Sequence, residues 1–186
     1  NQTSNSAGDY VFRFEPTAVK FNDVEWHVDT SPQLNHSITY RRKQGDFAIQ
    51  NLRLYSDASE VLLTNAIFKT AKDFSAAGEI KNLDIAKVLA LTNSENTMNL
   101  KGIANGTFDI MMNKNNLEPL IDLNITDIVM NDKDMGNVVI NAKQSSVPNV
   151  FDVEAKVISA GIIGDNNLYL FGTINNNTFS PTVNLT

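Results

Sequence analysis

Between Met98 and Asn113 the chain reads MNLKGIANGTFDIMMN, and every even position from Met98 to Met112 is apolar or small while the odd positions are mostly polar. Only a period of two produces this. Successive side chains of a strand point to opposite faces, so the run has one dry face and one wet face. At about 3.3 Å per residue it would extend some 50 Å, against the usual five or six residues of a strand. Such a strand has to bend or break. Gly102 and Gly106 fall on its dry face, where a missing side chain permits a kink, a bulge or a close backbone approach.

The same alternation recurs elsewhere. Tyr10, Phe12 and Phe14 alternate with Val11, Arg13 and Glu15, and Val24, Trp26 and Val28 with Glu25, His27 and Asp29. Ile38 and Tyr40 follow, then Phe47 and Ile49, after which the apolar set changes parity to Leu52 and Leu54. A one-residue slip reverses the faces unless a bulge absorbs it, which places a bulge near Gln50 and Asn51. Val61 to Phe68 is apolar at both parities and is expected to be a more fully buried strand. From Asn82 to Leu91 the spacing of Ile85, Val88 and Leu89 turns helical; Asn82 is expected to cap this short helix and Asp84 to occupy its first turn. Its expected role is to plug an open end of the sheet.

Beyond the opening run, Asn113 to Asn116, Asn131 to Gly136 and Gly161 to Asn167 are turns between further alternating segments. About a dozen strands, with turn signals roughly every 8 to 15 residues, indicate an almost wholly β protein. Leu100-Lys-Gly102 followed by Pro119, and Leu170-Phe-Gly172 followed by Pro181, echo each other, each Pro being expected to open a strand.

At 186 residues the chain can bury a sizeable core, and with 42% hydrophobic and 19% charged residues it should fold. A net charge of −6 argues against nucleic acid as a partner; the short cluster Arg41-Arg42-Lys43 reads as a solvated strand end. Cysteine is absent, which removes disulfides and thiolate chemistry together. No apolar run reaches the roughly 18 residues of a membrane helix. A polar start and a last strand ending in mid-pattern are expected for one segment, 1–186, excised from a longer protein.

Catalytic chemistry has few candidates. His27 and His36 are both expected at the surface, and Ser37, next to His36, faces the other way in a strand. Asp132-Lys-Asp134-Met-Gly136 is too short of oxygen ligands for a calcium loop and reads as a hairpin turn. Asn-x-Thr/Ser sequons at Asn1, Asn35, Asn105, Asn124, Asn176 and Asn184 are no more than a chain this rich in Asn supplies, and Asn105 and Asn124 lie within expected strands. The expectation is a protein that is not an enzyme and needs no cofactor and no metal.

Taken in order, Val24-Glu-Trp26-His-Val28, Phe47 to Ser56, Gly78 to Leu89, Leu100 to Gly106 and Leu170-Phe-Gly-Thr-Ile174 with Pro181 resemble the translocation and assembly module subunit TamB, within the wider AsmA-like group of Gram-negative envelope proteins. The resemblance implies a mainly β fold: an elongated curved sheet, a β-taco or half-pipe with an apolar groove, here with one short helix near 82–91. It also implies a periplasmic location, an inner-membrane anchor and an outer-membrane barrel partner (TamA-like) for the full-length protein. The function it implies is phospholipid transport from inner to outer membrane, with outer-membrane protein assembly by β-strand augmentation as the alternative. A closed β-sandwich serving as an adhesin or carbohydrate-binding module is a third reading. A one-faced sheet must cover its dry face, and phospholipid acyl chains are one cover. The groove would be lined by Phe12, Trp26, Leu54, Leu100, Phe108, Ile110, Leu123, Val138, Val153, Leu168 and Leu170. Free sheet edges would also allow an edge-to-edge homo-oligomer.

Overall fold

In the computed structural model, which describes residues 2–21, 24–91, 99–114, 116–158, 167–175 and 180–185, the chain is mainly β: one open antiparallel sheet with a single short helix. The strands are β1 (Gln2–Ser4), β2 (Tyr10–Phe12), β3 (Thr17–Phe21), β4 (Val24–Val28), β5 (Ser37–Arg41), β6 (Asp46–Ser56), β7 (Ser59–Thr70) and β8 (Asp73–Asp84). Helix α1 (Ile85–Leu91) follows, then β9 (Leu100–Asn113), β10 (Asn116–Met130), β11 (Lys133–Gln144), β12 (Val150–Ile158), β13 (Asn167–Asn175) and β14 (Ser180–Leu185). Met98, Asn1, Asn176 and the turn residues 161–166 lie outside the described residues.

From β5 onward each strand pairs with the next in sequence, as expected when short turns join antiparallel neighbours. The exception lies along one edge of β6. There β5 pairs with Asp46 to Gln50, while β4, which forms a hairpin with β3, reaches Leu54 and Tyr55. Packing contacts run mainly between hydrogen-bonded neighbours, with α1 added against β8 and β9. The described residues form one open sheet rather than the two packed sheets of a closed sandwich. No large side chain among them is fully buried.

Long strands keep one apolar face by changing parity at defined points. Asn51, at φ +51°, lies opposite Thr64, and both strands flip there together, so Ile49 and Leu52 share a face and the β6–β7 register is kept. The parity change expected near Gln50 and Asn51 is therefore present, but as a paired flip at positive φ rather than as the expected bulge, since neither strand carries an extra residue there. Further irregularities follow at Thr64 against β8, at Lys81 and Asn82 against β9, and at Asp127 against both β9 and β11. Asn82 and Asp127 also take positive φ, +48° and +54°, a region that Asn and Asp tolerate better than most residues.

Asparagine side chains lock these bulges. The Asn82 amide donates to Asn105 Oδ1 at 2.8 Å and the Asp127 amide to Asn137 Oδ1 at 3.1 Å. Two strand ends repeat the device: the Asn99 amide donates to Asn131 Oδ1 and the Asn149 amide to Asn116 Oδ1. Each bond satisfies an N–H that the interrupted ladder leaves over.

Four further expectations need correction. Asn82 is not a helix cap but a bulge residue inside β8; Asp84 takes that place, its Oδ1 accepting the Ala86 amide at 2.9 Å, and the helix begins at Ile85. The segment Val61 to Phe68 is not buried on both faces: of these residues only Ala66 is buried, and Thr64, Asn65 and Phe68 are exposed. Pro119 is the fourth residue of β10, placed before β11 pairing begins at Leu120, and Pro181 is the second of β14, so neither opens its strand. His36 is 5% exposed rather than superficial: its Nε2 accepts the Phe14 amide at 3.2 Å and its ring stacks on Phe14.

Candidate functional site

The register sorts the apolar residues into rows that cross the strands. One row runs Val28, Leu54, Val61, Ile80, Gly106, Leu123, Ile140, Ala155, Leu170. Its neighbour runs Leu52, Leu63, Gly78, Phe108, Ile121, Ala142, Val153, Gly172. Every member of both is apolar or glycine. Without the bulges these rows would break, since a slip of one residue puts polar side chains into them.

Two glycines let the rows continue where strands crowd. A Cβ on Gly106, whose φ is +154°, would sit 2.0 Å from the Asp122 carbonyl oxygen and 2.9 Å from Leu123 Cα. One on Gly78 would sit 2.2 Å from the Leu62 carbonyl oxygen and 2.8 Å from the Phe108 ring, which fills the space above this glycine. The close approach expected of Gly106 on the dry face is thus a backbone contact with β10.

All eleven residues expected to line a groove fall on this face by register. Leu54, Leu123 and Leu170 stand in the first row, and Phe108 and Val153 in the second. Val138 and Leu168 belong to a third row with Ala104, Ile125 and Val157. Ile110 joins Ile49, Ala66, Ala76 and Pro119, a row reached by Phe12 through Ile38. Leu100, opposite Met130, lies toward the helix end. Trp26 shares its face with Val28 and is buried, at 7% exposure. Most of the others are half-buried.

The two margins of the face differ. At one end of the strands Tyr40, Phe47, Phe68, Phe74 and Met112 stand in register, with ring centroids 5.0 Å apart for Tyr40 and Phe47 and 6.0 Å for Phe68 and Phe74. Phe47 and Phe68 are exposed. This aromatic margin was not singled out in the sequence because it comes from four different strands. At the other end α1 packs on β9, with Ile85 Cδ1 3.3 Å from the position a Gly102 Cβ would take. Ser59 joins helix to sheet: its hydroxyl donates to the Asn82 carbonyl and accepts the Asp84 amide. Lys87 reaches Asp57 at 2.5 Å across the β6–β7 turn, which holds the Asp57 carboxyl below the usual carboxylate range.

Ion pairs gather on the N-terminal strands. Asp46, 5% exposed, takes both Arg41 Nε at 2.6 Å and Nη2 at 2.7 Å. The guanidinium lowers the Asp46 pKa, and the carboxylate raises that of Arg41. Asp29 is likewise lowered, chiefly by hydrogen bonds from Ser31 and then by Arg53. His27 lies on the polar face, stacked on Tyr55 and 3.3 Å from Glu25. Among the described residues no three His, Asp or Glu side chains are grouped to hold a metal ion.

A depression of about 670 Å³ lies on the opposite, polar face, at β10 to β13. Leu120, Asp122, Asn141, Lys143, Asp152, Glu154, Phe171 and Thr173 line it with their side chains, since the alternate residues point to the apolar face. The sequence gives no hint of it, because it depends on which strands pair. The chain matches no protein-family model, no curated protein and no solved structure.

Proposed function

We propose that the apolar face carries phospholipid acyl chains, as a segment of a TamB-like envelope protein that provides a hydrophobic β-groove between inner and outer membrane. The observation that carries this reading is the pair of uninterrupted apolar rows from β6 to β13 on one face of a single open sheet. Burying a 16-carbon chain, at about 0.8 kcal/mol per CH₂, gains roughly 12 kcal/mol against water. Such a chain leaves slowly into solvent but slides readily along the rows, because each methylene that leaves one Leu or Ile contact meets a similar one. Movement of this kind requires no chemical step. The resemblance in the sequence supports the same reading and supplies the periplasmic setting, the inner-membrane anchor and the TamA-like barrel partner of the full-length protein.

The test is native mass spectrometry with organic extraction, combined with photo-crosslinking from a photoreactive residue at Phe108 or Leu123. Phospholipid recovered and crosslinked from those positions, and not from Thr107 or Asp122 on the polar face, is the expected result. Lipid-free protein without crosslinks at Phe108 would overturn it. A second reading, assembly of client strands, draws on β3, whose one strand partner among the described residues is β4. A client strand docking there would protect the β3 amides that point away from β4 from hydrogen exchange and leave the apolar rows empty.

A further inference from the structure

The polar face carries exposed apolar side chains of its own. Met111 and Leu120 stand on neighbouring strands β9 and β10, and Phe171 on β13 beyond Asn141, Lys143, Asp152 and Glu154, with Leu120 at 63% and Phe171 at 46% exposure. Leu120 and Lys143 are shared between the 670 Å³ depression and a second one of about 360 Å³ that contains Met111. The two depressions adjoin at these residues and together form a furrow that spans β9 to β13, roughly 20 Å, four strand spacings at about 4.8 Å each. Its charge is one-sided: Asp109, Glu118, Asp122, Asp152 and Glu154 line it against the single ammonium of Lys143.

We infer that this furrow is a docking site for a basic amphipathic helix of a partner protein. Three features select that occupant. Exposed Leu and Phe side chains in a concave floor lose water only when an apolar surface covers them. Five carboxylates against one ammonium favour a partner whose apolar stripe is flanked by Lys or Arg. Finally, β10 to β13 are each hydrogen-bonded on both sides, so a segment lying across them finds no free main-chain groups and must satisfy its own. An extended peptide cannot do that; a helix can. About 13 residues, at 1.5 Å each, span the furrow. The site lies on the face away from the proposed lipid rows and does not depend on that reading.

The test uses the whole chain and a labelled Leu/Lys peptide of about 14 residues, leucines spaced i, i+3, i+4, i+7, followed by fluorescence anisotropy near 0.15 M salt. Saturable binding is expected, weakened about tenfold by Leu120→Ser with Phe171→Ser and several-fold by Asp122→Asn with Glu154→Gln. Both pairs are at the surface, and circular dichroism of each variant checks that it folds. Control changes at distant acids, Glu25→Gln and Asp132→Asn, should leave affinity unchanged. Equal loss from the controls, indifference to Leu120→Ser with Phe171→Ser, or equal binding of a helix-breaking diproline peptide would each overturn the proposal. So would sedimentation showing self-association that Leu120→Ser abolishes, because the furrow would then belong to a second copy of the chain.

Discussion

Between β7 and β11 every ladder contains a register shift, whereas β11 with β12 and β12 with β13 pair residue for residue from end to end. The apolar rows cross both regions unbroken. In the first they are maintained by devices: positive-φ Asn and Asp, asparagine locks, and glycines pressed against a neighbouring backbone. In the second, plain alternation is enough, with Ala142 and Ala155 where the first region needs Gly78 and Gly106. Bulges add bend and twist, so the bending of the sheet is expected to concentrate in the first region. The regular region holds most of the furrow on the polar face. One alternating pattern therefore supports two tasks, bending and presenting a surface.

The largest effect should come from breaking a bend. Gly106→Val would place a side chain on the β10 backbone at a φ that favours glycine, costing about 3 kcal/mol or more and lowering the yield of folded protein. Ala155→Val, in the same row of the regular region, should cost under about 1 kcal/mol. Thermal unfolding of the two variants measures the contrast; equal losses would show that the bend carries no special strain.

Next comes the polar lock on the N-terminal side. Asp46→Asn should cost about 2 to 3 kcal/mol, because Arg41 loses a buried charged partner. The same lock predicts a pH dependence. Arg41 lowers the folded Asp46 pKa, so its contribution is fully present above the unfolded carboxylate value, about 3.9, and is lost as pH falls through the lower folded value. Trp26, the only tryptophan, reports from this side of the molecule, and its acid transition should move to higher pH in a variant weakened elsewhere.

Removing an asparagine lock should have a smaller effect. Asn105→Ala takes away the acceptor of the Asn82 amide, at a cost of about 1 kcal/mol, with faster exchange of that amide. An equivalent change at Asn141, exposed in the regular region, should leave exchange unaltered. The smallest effect is expected from Lys87→Ala, which removes the pair with the fully exposed Asp57 and should move the melting temperature by no more than about 1 °C.

Much of the face was legible in the sequence. The parity change from Ile49 to Leu52 located the Asn51 irregularity, and alternation alone put Phe108, Leu123, Val138 and Val153 on one side. The same signal stands at Ile80 to Leu83 and at Ile125 to Ile128, with Asn82 and Asp127 between them as residues tolerant of positive φ. At Asn82 it was masked, because an Asn followed by Asp and Ile also suits a helix start. His36 illustrates a different barrier: its burial depends on Phe14, 22 residues earlier, which no local pattern reveals. The furrow and the aromatic margin are non-local in the same sense, assembled by pairing among several strands.

Because packing runs mainly between adjacent strands, each holds to the next like one tooth of a zip. Tension applied along the strand order, from β14 back toward β6, should release strands singly at low force, in a staircase of small extensions. Shear along the strands would load many hydrogen bonds at once and meet far greater resistance. A sheet of this kind is mechanically anisotropic: stiff along its strands and yielding across them.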